Sequence, residues 1–420
     1  MQYYYDVLIV GGGISGSSIA KKISENNDGL RIGLIEKEMC LAYHQSSNNS
    51  GVLHAGLHYP ENSRKMEFCV GGNRFLRQYC KENKLPINEC GKVIVAKNKK
   101  EAKRLEEIEK RATTNGVEVY LINEEELHNK EPNAITYEVA LSSPTTAVIN
   151  PILITESFAK DAMRNGVDFA YNTELSDVDA DESVVYTNKG KIKFKCLVNV
   201  AGVYADKIAH RFGLGKEYTI IPFRGSYYTL KEDWSHLVKS NIYPVPDQRN
   251  PFLGVHFTRT INGDIIVGPT ATPIIGRENY KGFQGANLKD AITILSNETE
   301  LFLNNRSFRD LAREELCNMN KKVYAEKASE IVRSITPANL TTKYVTQRYI
   351  DETGTERIIK RPRAGIRAQA YNTRKKELVQ DFVVETGENS INWVNVVSPG
   401  VTGSIMLAEL TDEIVRDLIT

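Results

Sequence analysis

Hydrophobic and polar residues follow two different rhythms at the start of this chain. The run Val7–Val10 is continuously apolar, as in a buried strand. Apolar residues then recur at roughly helical spacing, at Ile14, Ile19, Ala20 and Ile23. The pattern therefore predicts a strand, a tight turn and a helix, in that order.

The same rhythms predict further elements along the chain. Helices are expected at 63–83, 99–115, 152–165 and 406–418. Strands are expected at 31–35, 90–96, 167–171, 197–200 and 391–397. Other segments predict a polar hairpin at 177–194, β-rich structure at 218–230 and 252–268, and a charged helical region at 288–332.

Strand–turn–helix units thus reappear far downstream of the first one. This interleaving predicts a nucleotide-binding domain built from separated pieces, with a second domain inserted between them. The expected pieces of the nucleotide-binding domain are 1–88, 148–216 and 362–420. The substrate domain is expected to comprise 89–147 and 217–361.

The first turn carries Gly11, Gly13 and Gly16 in G-x-G-x-x-G register. In such a turn the first glycine allows the sharp bend, the second admits a pyrophosphate and the third lets helix pack on strand. Glu36 ends the predicted second strand, where a carboxylate can accept hydrogen bonds from ribose hydroxyls. The motif predicts a dinucleotide site, with an unliganded tight turn as the alternative, and leaves NAD and FAD both open.

Composition narrows the partners of this protein. The 420 residues include 54 basic and 53 acidic ones, for a net charge of +1, so no electrostatic footprint for nucleic acid is present. No apolar run approaches the roughly 18 residues that span a bilayer, and we expect no signal peptide. The six cysteines lack C-x-x-C spacing, which predicts buried thiols in a reducing cytoplasm and no metal site.

Two features favour FAD over NAD. A polar stretch at 44–59 follows the second strand and suits a loop that meets a ligand. A final strand, Gly/Pro turn and helix close the chain at 391–418. Because the isoalloxazine of FAD lies far from the first glycine turn, distant chain must return to enclose it.

Three segments resemble one family. They are NSGVLHAGLHY at 49–59, PFRGSYYTL with NIYPVPDQRNPFLGVHFT at 222–258, and RAGIRAQAYN with VSPGVTGSI at 363–405. The chain resembles the L-2-hydroxyglutarate dehydrogenase/oxidase family, within the D-amino-acid-oxidase and glycine-oxidase superfamily. The resemblance covers nearly the whole chain except about 339–360. It implies an α/β fold, with a Rossmann-like FAD-binding domain of the D-amino-acid-oxidase type and an inserted substrate domain with a mixed or antiparallel sheet.

The chain also departs from the family pattern. Asn48 stands where the family usually has His, and Ser46–Ser47 replace a Thr-Gly pair. Gly400, Val401 and Gly403 replace small alanine and serine residues. These positions bear on redox tuning, and no cysteine matches a flavinylation site, so covalent attachment of FAD stays open.

The resemblance implies oxidation of L-2-hydroxyglutarate to 2-oxoglutarate, by hydride transfer from C2 to flavin N5. Electrons would pass to a quinone, to O2 or to an electron-transfer protein. The alternatives are an sn-glycerol-3-phosphate dehydrogenase or oxidase, an oxidase of another small 2-hydroxy or amino acid, and a flavin-binding protein without dehydrogenase activity. We expect a cytoplasmic protein, and the region 288–332 leaves open a peripheral contact at the inner face of the membrane.

The chemistry needs a base for the substrate hydroxyl and cations for its carboxylates. By resemblance to related glycerol-3-phosphate oxidases, His54 is the first candidate for the base, and His256 is a substrate ligand or partner base. The expected carboxylate partner is Arg367. Further expected substrate ligands are Tyr59, Arg224, Tyr228 and Arg249. The alternatives are histidines hydrogen-bonded within the core and arginines on a solvated surface.

The remaining expected contacts are with FAD. Thr402 and Gly403 open the final helix, whose dipole suits negative charge on the N1–C2=O edge of the reduced flavin. The resemblance places Leu175 beside the adenine, and Ala201–Gly202 form a second nucleotide turn. The full set of expected FAD contacts is Gly11, Gly13, Ile14, Ser15, Gly16, Glu36, Lys37, Ser46, Ser47, Asn49, Ser50, Gly51, Val52, Leu175, Ala201, Gly202, Gly400, Val401, Thr402 and Gly403.

Overall fold

A computed structural model describes residues 3–57, 59–246, 253–280, 287–351 and 353–419. Within that part of the chain, helices α1 to α10 span Ile14–Asn26, Arg64–Glu82, Lys99–Thr114, Glu124–Lys130, Pro151–Arg164, Ala205–Arg211, Leu288–Asn304, Arg306–Asn318, Lys321–Ser329 and Ser404–Ile419. Two 3₁₀ turns lie at Gly202–Tyr204 and Glu232–Leu237.

The described strands fall into two sets along the chain. Strands β1 to β12 span Tyr4–Val10, Ile32–Ile35, Val52–Leu53, Ile87–Asn88, Lys92–Val95, Tyr120–Asn123, Val139–Ser143, Ala147–Ile149, Asp168–Ala170, Leu175–Asp179, Val184–Thr187 and Gly190–Asn199. Strands β13 to β25 span Tyr218–Ser226, Tyr228–Leu230, Asn241–Pro244, His256–Arg259, Ile265–Gly268, Thr272–Pro273, Leu340–Thr341, Tyr344–Ile350, Glu356–Pro362, Ala364–Asn372, Glu377–Leu378, Val383–Thr386 and Ser390–Asn395.

Short polar side chains start many of the helices. Ser63 Oγ accepts the Met66 N–H at the start of α2, and Asn98 Oδ1 accepts the Glu101 N–H at the start of α3. Such caps satisfy backbone donors that the first turn of a helix leaves unpaired. Helix α1 has no such cap of its own, because its N-cap residue is Gly13. The first turn of α1, all of which is described, also contains no acidic residue.

The first sheet is built around β1. Strand β1 pairs in parallel with β2 and with β12, β2 pairs in parallel with β9, and β12 pairs in parallel with β25. Antiparallel β10 and β11 extend the sheet beyond β12, and β24 extends it beyond β25. The carboxyl ends of the parallel strands therefore meet at one edge, where α/β proteins bind nucleotides.

The second large sheet has the order β19-β14-β17-β16-β15-β5-β7-β6 and is antiparallel except for the β15–β5 pair. A smaller antiparallel sheet, β18-β13-β22-β23, pairs residues 218–226 with residues 364–372. Strand β22 lies in a segment expected to belong to the nucleotide-binding domain, yet it pairs with a strand of the expected substrate domain. The domain boundaries stay a prediction.

Separate hydrophobic clusters hold these layers together. One cluster packs Ile9, Val198 and Trp393 of the first sheet against Ile19 of α1 and Val415 of α10. Another packs one face of the second sheet against helix α9. Burial of the apolar strand faces is the main favourable term in forming these layers.

Most predicted elements are confirmed within a few residues of their expected bounds. The α/β fold class is confirmed, and the region 288–332 forms three helices, α7 to α9. Residue 252, the first of the segment expected at 252–268, lies outside the described residues. The expectation of buried thiols is wrong for Cys317, which is exposed, and Cys90 is only half-buried.

Candidate active site

A cavity of about 1330 Å³ lies at the edge where the parallel strands of the first sheet end. Its wall includes Gly11 after β1, Glu36 after β2 and Ala201 after β12. The same cavity reaches His256 on the second sheet and Arg367 on the smaller one. The dinucleotide turn and the predicted catalytic residues therefore share one space.

The glycine turn has the geometry that its spacing predicts. Gly11 has φ +117°, and a Cβ on it would lie 2.7 Å from Val200 O. A Cβ on Gly16 would lie 1.9 Å from Gly11 O, so this glycine lets α1 pack on the turn. Gly16 is absent from the described cavity wall, whereas Gly11, Gly13, Ile14 and Ser15 line it.

Gly13 leaves a cradle at the start of α1. A Cβ there would meet only Ser46 Oγ within 4 Å, at 3.0 Å, among the described residues. The positive end of the α1 dipole thus faces the cavity without a capping side chain from the helix itself. This arrangement fits the pyrophosphate of FAD.

The loop 43–50 forms the next part of the wall. Ser46 Oγ accepts the Ile14 N–H at 2.9 Å, which ties the loop to α1. Cavity-lining residues of this segment that were expected to contact FAD are Ser46, Asn49, Ser50 and Val52. Ser47 and Gly51 do not line the described cavity. Ser47 Oγ donates to His44 O, and a Cβ on Gly51 would lie 2.6 Å from Ile149 O.

Glu36 is held by backbone donors at the end of β2. Its Oε2 accepts the Gly12 N–H at 2.6 Å, and its Oε1 accepts the Glu38 N–H at 2.8 Å. Burial raises the pKa of this carboxyl, and the two backbone hydrogen bonds oppose that effect. The side chain lines the cavity next to Lys37.

Buried and half-buried charge pairs surround this end of the cavity. Arg277 forms a two-pronged pair with Asp206, at 2.7 and 2.9 Å. Lys37 pairs with Glu278 at 2.7 Å and also with Glu38. The second turn is present as well, because Leu175, Ala201 and Gly202 line the cavity. Sequence reasoning did not identify Asp206 or Arg277, which are distant in the chain.

Glu38, His44 and Glu278 come together in this region, with one ligand-type atom of each within 4.8 Å of the others. Burial opposes ionisation of Glu38, but hydrogen bonds from His44 and Lys37 outweigh it and lower its pKa to about 2. The Lys37 ammonium already pairs with both carboxylates. The cluster is therefore an ion-pair network around the dinucleotide end.

The turn before α10 closes the other side of the cavity. Gly400, Val401 and Thr402 line it, whereas Gly403 is absent from the described wall and faces Phe68. A Cβ on Gly72 of α2 would lie 1.8 Å from Thr402 O, so only glycine lets α2 approach this turn. Thr402 Oγ1 accepts the His54 N–H at 3.1 Å.

His54 is buried and lines the cavity beside that turn. Its carbonyl oxygen accepts hydrogen bonds from Asn73 Nδ2 at 2.9 Å and from the Cys69 thiol. Helix α2 and the 399–402 turn therefore hold the backbone at His54 from two directions. Tyr59 also lines the cavity, and burial raises the pKa of its phenol.

His256 lies on β16 with an oriented ring. Its Nδ1 is 2.7 Å from Gly254 O, and its ring centroid is 4.1 Å from that of Tyr243. A carbonyl oxygen only accepts, so this contact requires the proton on Nδ1 and leaves Nε2 as an acceptor. Burial lowers the pKa of His256 to about 4, which makes the ring neutral at pH 7.

Arg367 lies on β22 opposite the β13 strand. Its Nη1 donates to Thr270 O at 2.9 Å. A Cβ on Gly225 would lie 2.9 Å from Arg367 Nη2, so that glycine makes room for the guanidinium. Burial lowers the pKa of Arg367, with Tyr227 and Glu315 opposing, but a guanidinium stays charged in proteins.

Two predicted substrate ligands, Arg224 and Tyr228, are absent from the described wall of this cavity, and the position of a third is not described. Arg224 donates to Tyr280 O at 3.4 Å and is absent from the described wall. The ring of Tyr228 packs edge-on against Tyr324, and its neighbour Tyr227 lines the cavity instead. Arg249 lies outside the described residues. Tyr227 is the one residue between β13 and β14, and Tyr228 begins β14, so the break between the two strands is the signal that was missed.

Lys65 is a cavity-lining residue that sequence reasoning also missed. It belongs to α2, is 5% exposed, and its Nζ lies 5.9 Å from the centroid of the Phe382 ring. Burial lowers the pKa of the amine to about 8, with Asp381 opposing. A lysine in the first turn of an amphipathic helix carries no sequence signal that separates it from a surface residue.

Residues 6–414 match the family described as FAD dependent oxidoreductase. The chain is 35% identical to the mitochondrial L-2-hydroxyglutarate dehydrogenase of Homo sapiens, covering 98% of this chain and 88% of that protein. It is 32% identical to the L-2-hydroxyglutarate dehydrogenase of Escherichia coli K12, covering 96% of this chain and 90% of that protein.

Among solved structures, the fold is similar to the dithionite-reduced L-α-glycerophosphate oxidase of Mycoplasma pneumoniae with FAD bound. The TM-score is 0.73 at 23% identity, covering 100% of this chain and 95% of that one. FAD is therefore the cofactor of this protein. The chain belongs to the FAD-dependent oxidoreductase family and, within it, to the L-2-hydroxyglutarate dehydrogenases.

Proposed function

We propose that this protein oxidises L-2-hydroxyglutarate to 2-oxoglutarate. The names of the relatives that it matches over nearly its whole length support this substrate. One observation carries the proposal. His54, His256 and Arg367, from three separated segments, line the same cavity as the dinucleotide turn.

The residues that would hold FAD follow from the wall of the cavity. Gly11, Gly13 and the start of α1 suit its pyrophosphate, and Glu36 suits the ribose of its adenosine. The turn at 400–402 suits the flavin ring. When bound, FAD supplies the acceptor for the hydride, with its electron pair, from C2 of the hydroxy acid.

Arg367 orients the substrate in this proposal. Its guanidinium presents parallel N–H donors that match the two oxygens of a carboxylate. Because the guanidinium is anchored by the Thr270 carbonyl and seated over Gly225, its position is fixed before the substrate arrives. The C1 carboxylate, next to the reacting carbon, is the group that we assign to it.

The two histidines have different tasks in this proposal. His54 accepts the proton of the C2 hydroxyl. We assign this step to it because its backbone is bonded to the 400–402 turn, which suits the flavin ring. We assign no proton transfer to His256, because burial lowers its pKa to about 4 and makes it a weaker base than an ordinary histidine. Its Nε2 lone pair instead accepts a hydrogen bond that orients the substrate.

We also propose an electron acceptor and a location for this protein. Among the described residues, no helix is both long enough and apolar enough to cross a membrane. We propose a cytoplasmic protein that passes electrons to a quinone, to O2 or to an electron-transfer protein. Exposed Leu288, Ile292 and Leu295 on α7 support a peripheral membrane contact, which sedimentation with lipid vesicles tests.

Anaerobic bleaching of the flavin tests the reaction directly. We expect loss of the oxidised-flavin absorbance with L-2-hydroxyglutarate, and no loss with its D-enantiomer or with glycerol 3-phosphate. Bleaching by glycerol 3-phosphate alone would replace our proposal with the competing substrate. A purified protein without oxidised-flavin absorbance, even after incubation with FAD, would contradict the flavin assignment.

A further inference from the structure

Arg111 is the charged residue of helix α3 that lines the cavity. Lys103, Glu106, Glu107 and Lys110 of this helix are exposed. Arg111 instead lines the cavity, and its Nε and one Nη are buried without a hydrogen-bond partner among the described residues. The helix expected at 99–115 is rich in charged residues, a composition typical of a solvated surface. The position of Arg111 at the cavity wall is therefore seen only in the structure.

Buried donors without partners are uncommon in native proteins. More than about 90% of buried polar groups are hydrogen-bonded, and a buried donor left unpaired costs roughly 1–3 kcal/mol. A guanidinium cannot avoid that cost by losing its proton. An arginine held in this state at a cavity wall is therefore explained by an anionic ligand that completes its hydrogen bonds.

The surroundings of Arg111 place it at the substrate end of the cavity. Its neighbours Ile108 and Ala112 belong to a hydrophobic cluster that also contains Tyr243 and packs against Leu253. Tyr243 is in ring contact with His256, and both Tyr243 and Leu253 line the cavity. Arg111 is thus connected to His256 through this cluster and one ring contact.

Arg111 and Arg367 come from different parts of the fold. Arg111 is on a helix that packs beside the second large sheet, whereas Arg367 is on β22 of the smaller sheet. The described acidic residues of the cavity wall, by contrast, belong to other segments: Glu36, Glu174, Asp177, Asp206, Glu278 and Asp290. The buried Nε and Nη of Arg111 have no hydrogen bond to any of these carboxylates.

We propose that Arg111 binds the distal carboxylate of a dicarboxylic substrate and sets the preference for a diacid over a monoacid. The inference rests on the proposed function, since L-2-hydroxyglutarate carries a second carboxylate at C5. Arg367 would hold the C1 carboxylate, and Arg111 would hold the C5 carboxylate by the same two-pronged hydrogen bonding. One cation at each end of the substrate distinguishes it from glycerol 3-phosphate, whose charge is all on one group.

The test replaces Arg111→Gln in the FAD-loaded, full-length protein. Substrates are L-2-hydroxyglutarate and L-2-hydroxypentanoate, which has the same number of carbons and no C5 carboxylate. We expect KM for the diacid to rise about ten- to a hundredfold, as for loss of a charged hydrogen-bonded pair. We expect kcat/KM for the monoacid to stay within about twofold.

Two further variants serve as controls. Lys110→Gln removes the same charge from the exposed neighbouring position and should leave both substrates unchanged. Arg111→Lys keeps the charge but loses the fork, so it should give an intermediate KM for the diacid. Binding of glutarate, measured by calorimetry on the oxidised holoenzyme, should weaken in Arg111→Gln by the same factor as KM rises.

The outcomes separate this inference from the proposed function. Equal losses on both substrates, or unchanged glutarate binding in Arg111→Gln, would overturn the role of Arg111. Failure of the wild-type protein to oxidise L-2-hydroxyglutarate would overturn the proposed function, and glutarate binding would still decide whether Arg111 recognises a diacid.

Discussion

The two ends of the cavity are built in different ways. At the dinucleotide end, Gly11, Gly13 and Glu36 lie close together in sequence, and the two glycines contribute only backbone to the wall. At the substrate end, His54, His256 and Arg367 are side chains from distant segments. A site made by the backbone of one turn can be recognised from a short stretch of sequence. A site made by side chains from distant segments depends on how distant strands pair.

The two ends also differ in how their charges are satisfied. At the dinucleotide end, Arg277 pairs with Asp206, and Lys37 pairs with Glu278. At the substrate end, Arg111 has buried donors with no described partner, and His256 is neutral. Charges that are paired within the chain hold the fold, whereas charges left for a ligand serve recognition.

The largest effect is expected from Gly16→Ala, at the dinucleotide end of the cavity. A Cβ there would lie 1.9 Å from the Gly11 carbonyl oxygen, so α1 cannot pack on the turn. We expect little folded protein and no bound FAD, measured by circular dichroism and by flavin absorbance per chain. A full complement of FAD in this variant would contradict our account of the turn.

Gly13→Ala is the matched control, because its Cβ would meet only the movable Ser46 Oγ at 3.0 Å among described atoms. This variant should fold with a free energy of unfolding within about 1 kcal/mol of the wild-type apoprotein. It should still lose FAD affinity, because the methyl group occupies the pyrophosphate cradle. Folding and cofactor binding are therefore separable within one turn.

The next largest effect is expected from His54→Gln, at the substrate end of the cavity. Loss of a general base lowers the rate of flavin reduction by about 10²–10⁴-fold. His256→Gln should cost less, because we assign that ring to orientation. Stopped-flow reduction under anaerobic conditions measures both variants, and the reverse order would exchange the two roles.

A pH profile sharpens the same assignment. The Nε2 of His256 accepts only while the ring is neutral, and the pKa is lowered to about 4. Its contribution to kcat/KM is therefore complete above about pH 5 and is lost as the pH falls through about 4. His256→Gln should remove this loss, and it controls for ionisation of the substrate carboxylates. A loss near pH 6.5 that disappears in His256→Gln would contradict the lowered pKa.

A smaller effect is expected from Gly225→Ala. Its Cβ would lie 2.9 Å from Arg367 Nη2, at the movable end of the side chain, so the guanidinium must shift without disturbing the fold. We expect KM for L-2-hydroxyglutarate to rise about tenfold with kcat reduced less. Steady-state kinetics beside Arg367→Lys measures this, and an unchanged KM in both variants would exclude Arg367 as a carboxylate ligand.

The last prediction concerns stability in place of activity, and the expected effect is a gain. Burial lowers the pKa of Lys65 to about 8 from its ordinary 10.5, so the charged amine disfavours the folded apoprotein. This cost is complete below about pH 8 and disappears as the pH rises to about 10.5. Lys65→Met should raise the free energy of unfolding at pH 7 by up to about 3 kcal/mol, and by nothing near pH 10.5. Urea unfolding at both pH values measures it, and equal gains at both would point to packing instead.

Much of the dinucleotide end was predictable from the sequence. Gly11, Gly13 and Glu36 line the cavity as expected, because the strand, turn and helix that carry them are adjacent in the chain. Arg277 and Asp206 were not predictable, since their pairing joins elements about seventy residues apart. At the substrate end, Tyr228 was predicted where Tyr227 lines the wall, because the sequence did not show that the strand is interrupted at residue 227.

The sequence by itself determined the order of the elements, the glycine turn, the family and thus the cofactor, since each depends on local periodicity or on short motifs. Only the tertiary structure decided which cations line the cavity. Arg111 occupies a helix whose pattern indicates a solvated surface, and Arg224 occupies a segment whose pattern suggested a ligand, yet only Arg111 lines the cavity. The reason is physical: whether a charged side chain meets solvent or a ligand depends on what packs beside it, and that neighbour is set by strands and helices far away in the chain.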